Sequence, residues 1–156
     1  MIRKATIEDV EKILNIWLDA SISAHDFIVA DYWRQHLPEL RDIYLPQAET
    51  FVYVDKRRIK GFISILSDNF IGGLFIRPEY QNKHIGSKLL GFIRRHRTHL
   101  TLRVYAKNTA ALQFYQKNDF KIIAEKTDGN TGEAELIMSW AKGCKSGFGK
   151  RRQGDS

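Results

Sequence analysis

One cysteine, Cys144, stands in 156 residues, so no disulfide can close within the chain. It falls beyond the last segment that reads as a strand, which leaves the core without a thiol nucleophile for a covalent acyl-enzyme route. No Cys/His cluster has metal-ligand spacing, and no metal is expected. No window holds eighteen consecutive apolar residues, which excludes a membrane-spanning helix and a membrane partner. The opening Met1 to Asp9 lacks the apolar stretch of a secretory leader, and cytoplasmic residence is the expectation. The chain contains no G-x-x-x-x-G-K-[ST] and no G-x-G-x-x-G after a first strand. P-loop nucleotide hydrolysis and a dinucleotide fold are both argued against on that ground.

What is present fits one packed domain: 43% hydrophobic residues, with nine Phe, six Tyr and three Trp. The formal charge of +7 raises nucleic acid as a partner. Its distribution argues against this, because residues 142–156 carry +4 of it in a glycine-rich, aperiodic stretch. We read 1–141 as the domain and 142–156 as a basic tail expected to stay disordered, a solvated charge run rather than a nucleic-acid or ribosome contact.

Ile2–Lys4 reads as a strand, and Thr6 with Asp9 as a capping-box-like helix start. Ile7, Val10, Ile13, Leu14, Trp17 and Leu18 recur at helical spacing. A second helical stretch covers 31–44 and should kink or divide at Pro38. Strands follow over 51–54 and 59–66, joined by a hairpin turn at Lys56-Arg57-Arg58, and then over 69–76, interrupted by Gly72-Gly73. A helix from Gly86, a strand over 100–104, a helix over 108–117 and strands over 120–126 and 134–140 complete the order. Hairpins combined with helical crossovers predict a mixed α/β (α+β) sheet covered by helices.

The segment richest in chemistry runs from Leu74 to Leu90. An apolar strand stops at Pro78, a polar loop turns, and a helix begins at a glycine. Such a junction aims unpaired backbone N–H groups at one point, where the helix dipole also favours negative charge, and a pyrophosphate would sit well there. Lys83, His84 and Lys88 add positive charge.

This segment resembles motif A of the GNAT superfamily of N-acetyltransferases, in which Gln or Arg, two residues, Gly, any residue and Gly or Ala recur. Gln81 and Gly86 match its ends, and His84 stands where the family usually has its first glycine. Downstream, Asn108 to Phe120 is similar to motif B, with Phe114-Tyr115 in place and Asp119 where a glycine is usual. Trp17, His25, Phe27-Ile28, Tyr32-Trp33-Arg34, Phe70 and Met138-Ser139-Trp140 resemble the small bacterial YiaC-type group, which are peptidyl-lysine acetyltransferases. The resemblance implies a mostly antiparallel seven-stranded sheet with a splayed central strand pair and about four helices. It also implies acetyl-coenzyme A as cosubstrate and direct transfer to an amine in a ternary complex. The implied acceptor is a protein lysine; the rival readings are a small-molecule amine acceptor and a coenzyme A-binding module without turnover. A monomer or homodimer is expected.

The resemblance also assigns roles. Tyr115 would be the acid that donates its phenolic proton to the departing sulfur. With reference values of about 10 for a phenol and about 8.5 for a thiol, full transfer costs about 2 kcal/mol before tuning. The backbone of Leu74, Phe75 and Ile76 would pair with the pantetheine arm, with Gly72 and Gly73 marking a bulge that opens the slot. Gln81, Asn82, Lys83, His84, Ile85, Gly86, Ser87 and Lys88 would hold the pyrophosphate, and Asn108 and Ala111 would add cofactor contacts, although Asn is also a common N-cap. His25 is a candidate base and acceptor contact by its intrinsic pKa, with a hydrogen-bonded structural histidine or a water chain as alternatives. Phe70 faces either the core or the acceptor.

Overall fold

The structure, a computed structural model, describes residues 1–143. Cys144 and the tail beyond Gly143 lie outside the described residues. The sheet has seven strands, mostly antiparallel, and the chain forms two compact units, Met1–Arg95 and His96 onward.

The first unit holds strands β1 (Ile2–Lys4), β2 (Glu49–Asp55), β3 (Arg58–Leu66) and β4 (Phe70–Ile76), neighbouring in chain order. Helix α1 (Val10–Ala24) follows one tight turn at Ile7–Asp9. Helix α2 (Ala30–Gln35) leads into a broken helical run over Leu37–Gln47, and helix α3 (Ile85–Arg94) ends the unit. In β3, Phe62, Ile63, Ser64 and Ile65 are buried in succession, the mark of a strand covered on both faces. Ile13 and Ile16 of α1 pack with Val52, Ile59 and Phe62, while Phe51 meets Phe92 of α3 with ring centroids 5.1 Å apart. The β2–β3 hairpin turns on two residues, Lys56 and Arg57, both left-handed at φ +52° and +65°; two successive residues of this hand form a turn whose twist matches the strands.

Two expectations change. Ile7 is 86% exposed because it sits in the tight turn before α1, out of phase with the helical face, and Ile16 takes its place in the core. The second helical stretch begins at Ala30 and continues to Gln47, broken at Pro38 as expected and widened over Leu40–Tyr44, where the Leu45 amide reaches back to the Leu40 carbonyl.

The second unit, described to residue 143, holds β5 (His99–Tyr105), β6 (Lys121–Thr127) and β7 (Ala134–Ala141) in the order β5-β7-β6, with helix α4 (Thr109–Lys117). Leu100, Leu102 and Val104 of β5 lie opposite Trp140, Met138 and Leu136 of β7, and all six are buried. A period-two pattern with one buried face gives this register, since a one-residue slip would expose it. Among the described residues, no helix is long and apolar enough to cross a membrane, and no group of His, Cys, Asp and Glu could hold a metal ion.

Candidate active site

In the first unit the site-forming stretch is β4 and the junction into α3. Ser64 of β3 pairs with Gly73 while Ile65 pairs with Ile71, so Gly72 is the extra residue of a bulge. Beyond it, Leu74, Phe75 and Ile76 pair with Ile63, Phe62 and Gly61. Gly61 permits a close approach: a Cβ there would lie 2.9 Å from the Phe75 carbonyl oxygen. The sequence carries a signal for this, an isolated glycine inside a strand, that the motif comparison passes over.

After β4 the chain makes a tight turn at Pro78–Tyr80, closed by the Tyr80 amide on the Arg77 carbonyl at 2.9 Å. Asn82 and His84 then adopt φ +64° and +65°, with Lys83 between them outside the left-handed region. Two left-handed residues this close together turn the loop tightly into the N-terminus of α3. The first intrahelical bond of α3 runs from Lys88 to the His84 carbonyl at 3.0 Å, so the amides of Ile85, Gly86 and Ser87 precede the helix's own ladder. Gln81, Asn82, Lys83, His84 and Lys88 are exposed around this end; Gly86 and Ser87 are half-buried, and Ile85 anchors the helix in the core. The Lys88 ammonium lies 5.8 Å from the centroid of the Tyr53 ring. His84 does not cap the helix with its side chain. It occupies a glycine-like conformation that costs an L-residue roughly 1–2 kcal/mol, which explains why glycine is usual at that motif position. The junction fits a diphosphate: it has amides to bind it, a favourable dipole and lysines beside it.

His25 ends α1 and is buried, its Nδ1 2.8 Å from the Ser21 carbonyl oxygen. That contact makes Nδ1 the protonated nitrogen. The ring stacks on Trp33 at 4.9 Å and meets Phe27 edge-on at 5.6 Å. Burial pushes its pKa below the usual histidine value, outweighing the Ser21 carbonyl, so it is neutral at pH 7. Phe70, at the start of β4, is half-buried.

In the second unit, Asn108 caps α4 by accepting the Ala111 amide at 3.2 Å, the role this residue type favours at a helix start. Tyr115 is 8% exposed, flanked by Phe114 and Phe120 at ring distances of 5.2 and 5.5 Å. Burial drives its phenol well above the ordinary tyrosine range, so the group keeps its proton. The helix ends with Phe120 N–H on the Tyr115 carbonyl at 3.0 Å and Asp119 N–H on Gln116 at 3.1 Å, a Schellman closure with Asp119 at φ +72°.

The family description "Acetyltransferase (GNAT) domain" matches residues 46–122. The chain is 36% identical to the peptidyl-lysine N-acetyltransferase YiaC of Escherichia coli K12, over 90% of this chain and 96% of that protein. The solution structure of apo YjaB from Escherichia coli superposes with a TM-score of 0.78 at 28% identity, covering 89% of this chain and 95% of that one. The crystal structure of the PaiA N-acetyltransferase of Thermoplasma acidophilum in complex with coenzyme A shares the fold, with a TM-score of 0.77 at 24% identity, covering 90% and 98% of the two chains. With full-length similarity of this order added to the two motifs and the seven-stranded sheet, the chain belongs to the GNAT acetyltransferases, enzymes that move an acetyl group from acetyl-coenzyme A to an amine.

Proposed function

We propose that the acceptor is a lysine side chain of a protein in the cytoplasm, acetylated by direct attack in a ternary complex. The observation carrying this reading is the 36% identity to a peptidyl-lysine acetyltransferase over nearly the whole of both chains. Acetyl-coenzyme A supplies an activated thioester carbonyl. The alternating loop at Asn82–His84 and the first-turn amides of α3 bind its diphosphate. Alternate amides of Leu74–Ile76 that point away from β3 grip the amide-bearing arm, and one of them polarises the thioester carbonyl. Tyr115 holds a proton for the leaving sulfur. Because its phenol is pushed upward rather than downward, it stays protonated across the working pH range and acts through a hydrogen bond, full transfer to the sulfur costing more than the reference values give.

An acceptor lysine must lose its proton, which costs about 4–5 kcal/mol at neutral pH. His25 fits as the group that takes it: burial keeps it neutral, the proton-accepting form, and Ser21 fixes its tautomer. Phe70 lines the acceptor side in this reading. The test is mass spectrometry of peptides after incubation of the enzyme and acetyl-coenzyme A with a protein mixture, with Tyr115→Phe as control. Enzyme-dependent acetyl-lysines that vanish with the control are expected. Acetylation no greater than in the control, alongside turnover of small amines, would refute the protein-lysine assignment.

A further inference from the structure

The loop at Asn82 and His84 keeps two L-residues at positive φ, a conformation costlier than the right-handed or extended one, and contacts from outside the loop can offset that cost. Such contacts reach the turn just before it. Arg77, the residue after β4, donates its amide to the Lys60 carbonyl at 2.9 Å and its Nε to the Ile59 carbonyl at 2.9 Å. The turn that follows presents Tyr80, and the Lys60 ammonium sits 4.4 Å from the centre of the Tyr80 ring. The same ammonium is fixed from the other side by the Asp55 carboxylate at 2.8 Å. Lys60 is thus gripped by the last residue of β2 and the last residue of the turn before the loop. Its side chain is only 18% exposed, unusual for a residue type that is mostly solvated. Gln81, next in the chain, returns to the strand through Nε2 on the Ile76 carbonyl at 3.3 Å.

We infer that Lys60, held by Asp55 and seated on Tyr80, is a positioning residue that sets the diphosphate loop in its binding shape before the donor arrives. This rests on the functional reading above and adds two residues, Asp55 and Lys60, that lie outside both motifs. Asp55 and Lys60 each hold the other's charge, the carboxyl pKa lowered and the ammonium pKa raised chiefly by their shared hydrogen bond, so the clamp is intact at neutral pH. The ammonium is occupied by the carboxylate and the ring, so it acts through Tyr80 and not as a phosphate ligand.

The test is calorimetry of coenzyme A on the full chain, with kinetics for two donors: acetyl-coenzyme A and a phosphate-free acetyl-pantetheine. Lys60→Met and Tyr80→Leu should each weaken coenzyme A binding about threefold to tenfold, while Lys60→Arg and Tyr80→Phe, which keep the cation and the ring, should stay within about twofold. The acceptor KM, kcat at saturating donor and turnover of acetyl-pantetheine should not move, because a loop that touches only phosphates affects only donors that carry them. Tyr80 lies in a surface turn, so its variants keep the question open to measurement should Lys60→Met fold poorly. Coenzyme A affinity unchanged in both Lys60→Met and Tyr80→Leu would overturn the clamp, as would an equal loss with the phosphate-free donor. A wild-type chain that takes up no coenzyme A would instead bring down the functional reading and the clamp with it.

Discussion

Each unit of this molecule places a non-glycine residue in the left-handed region at a helix end, and the two are treated differently. Asp119, at φ +72°, sits in a closed cap: its own amide and that of Phe120 are both bonded to carbonyls of the last turn of α4. His84, at φ +65°, opens α3 with an exposed imidazole that makes no cap, ahead of amides with no ladder partner. The strain is similar; the compensation is not. Where the chain closes its own end, the left-handed residue serves packing. Where it leaves the first amides without a ladder partner, the end is open to a ligand, and the proposed diphosphate suits it by charge. The start of α1 belongs with the closed kind, since the Asp9 carboxylate accepts from the Thr6 amide at 2.8 Å and from Arg3 at 2.8 and 3.1 Å.

The largest effect is expected at the residue the closed cap holds. The Tyr115 carbonyl accepts the Phe120 amide, so the cap fixes the turn that carries the phenol. Tyr115→Phe should lower kcat about a hundredfold or more while leaving coenzyme A affinity unchanged, as steady-state kinetics and calorimetry would show. Unaltered turnover would remove the acid role and leave a core tyrosine beside Phe120.

Next in size is the closed start of α1. The hydrogen bonds from Arg3, more than those from Thr6, hold the Asp9 carboxyl at about 2, below its ordinary value, in spite of burial. A folded-state pKa below the unfolded one contributes stability above about pH 4, lost as pH falls through about 2, and the difference is worth about 2 kcal/mol. Denaturant unfolding between pH 2 and pH 5 should show this slope, and Asp9→Asn should flatten it. The same slope in the variant would mean that other carboxyls carry the acid sensitivity.

The closed end of α4 is the third test. A β-branched residue tolerates positive φ worst, so Asp119→Val should cost about 1–2 kcal/mol of unfolding free energy, measured by urea titration, without altering donor affinity. A loss of coenzyme A binding in a variant whose stability is intact would show that this cap serves the ligand after all.

How much of this was legible in the sequence depends on the range of the interactions. Period-two and helical patterning, with Gly and Pro as punctuation, located all seven strands to within two residues at every end, and the Gly72 bulge with them. The Thr6/Asp9 start and the Asn108 cap were legible for the same reason: their partners lie three residues away. Ile7 misled because a tight turn rotates its side chain by a different angle from the helix that follows. The second helix ran longer than its pattern, because Pro46 sits at the start of a further helical turn, where a missing N–H costs nothing. The clamp was not legible. Lys60 meets Tyr80 across twenty residues, through a strand pairing that only the folded sheet supplies.

The smallest expected effect decides most about the open helix start. His84→Gly removes the left-handed strain but gives the unfolded chain more freedom, two terms of similar size, so the net gain in stability should be no more than about 1 kcal/mol. If the loop is a binding surface made of backbone amides, coenzyme A affinity should be equal or better, because the amides remain and the backbone can approach the phosphates more closely. Lys60→Met in the same background should then cost more affinity than it does in the native chain, since a glycine loop depends more heavily on being held from behind. A marked loss of affinity in His84→Gly alone, at unchanged stability, would reverse the reading. The imidazole would then be a phosphate contact in its own right, and its exposed, uncapped position at the mouth of α3 would be what the departure from glycine is for.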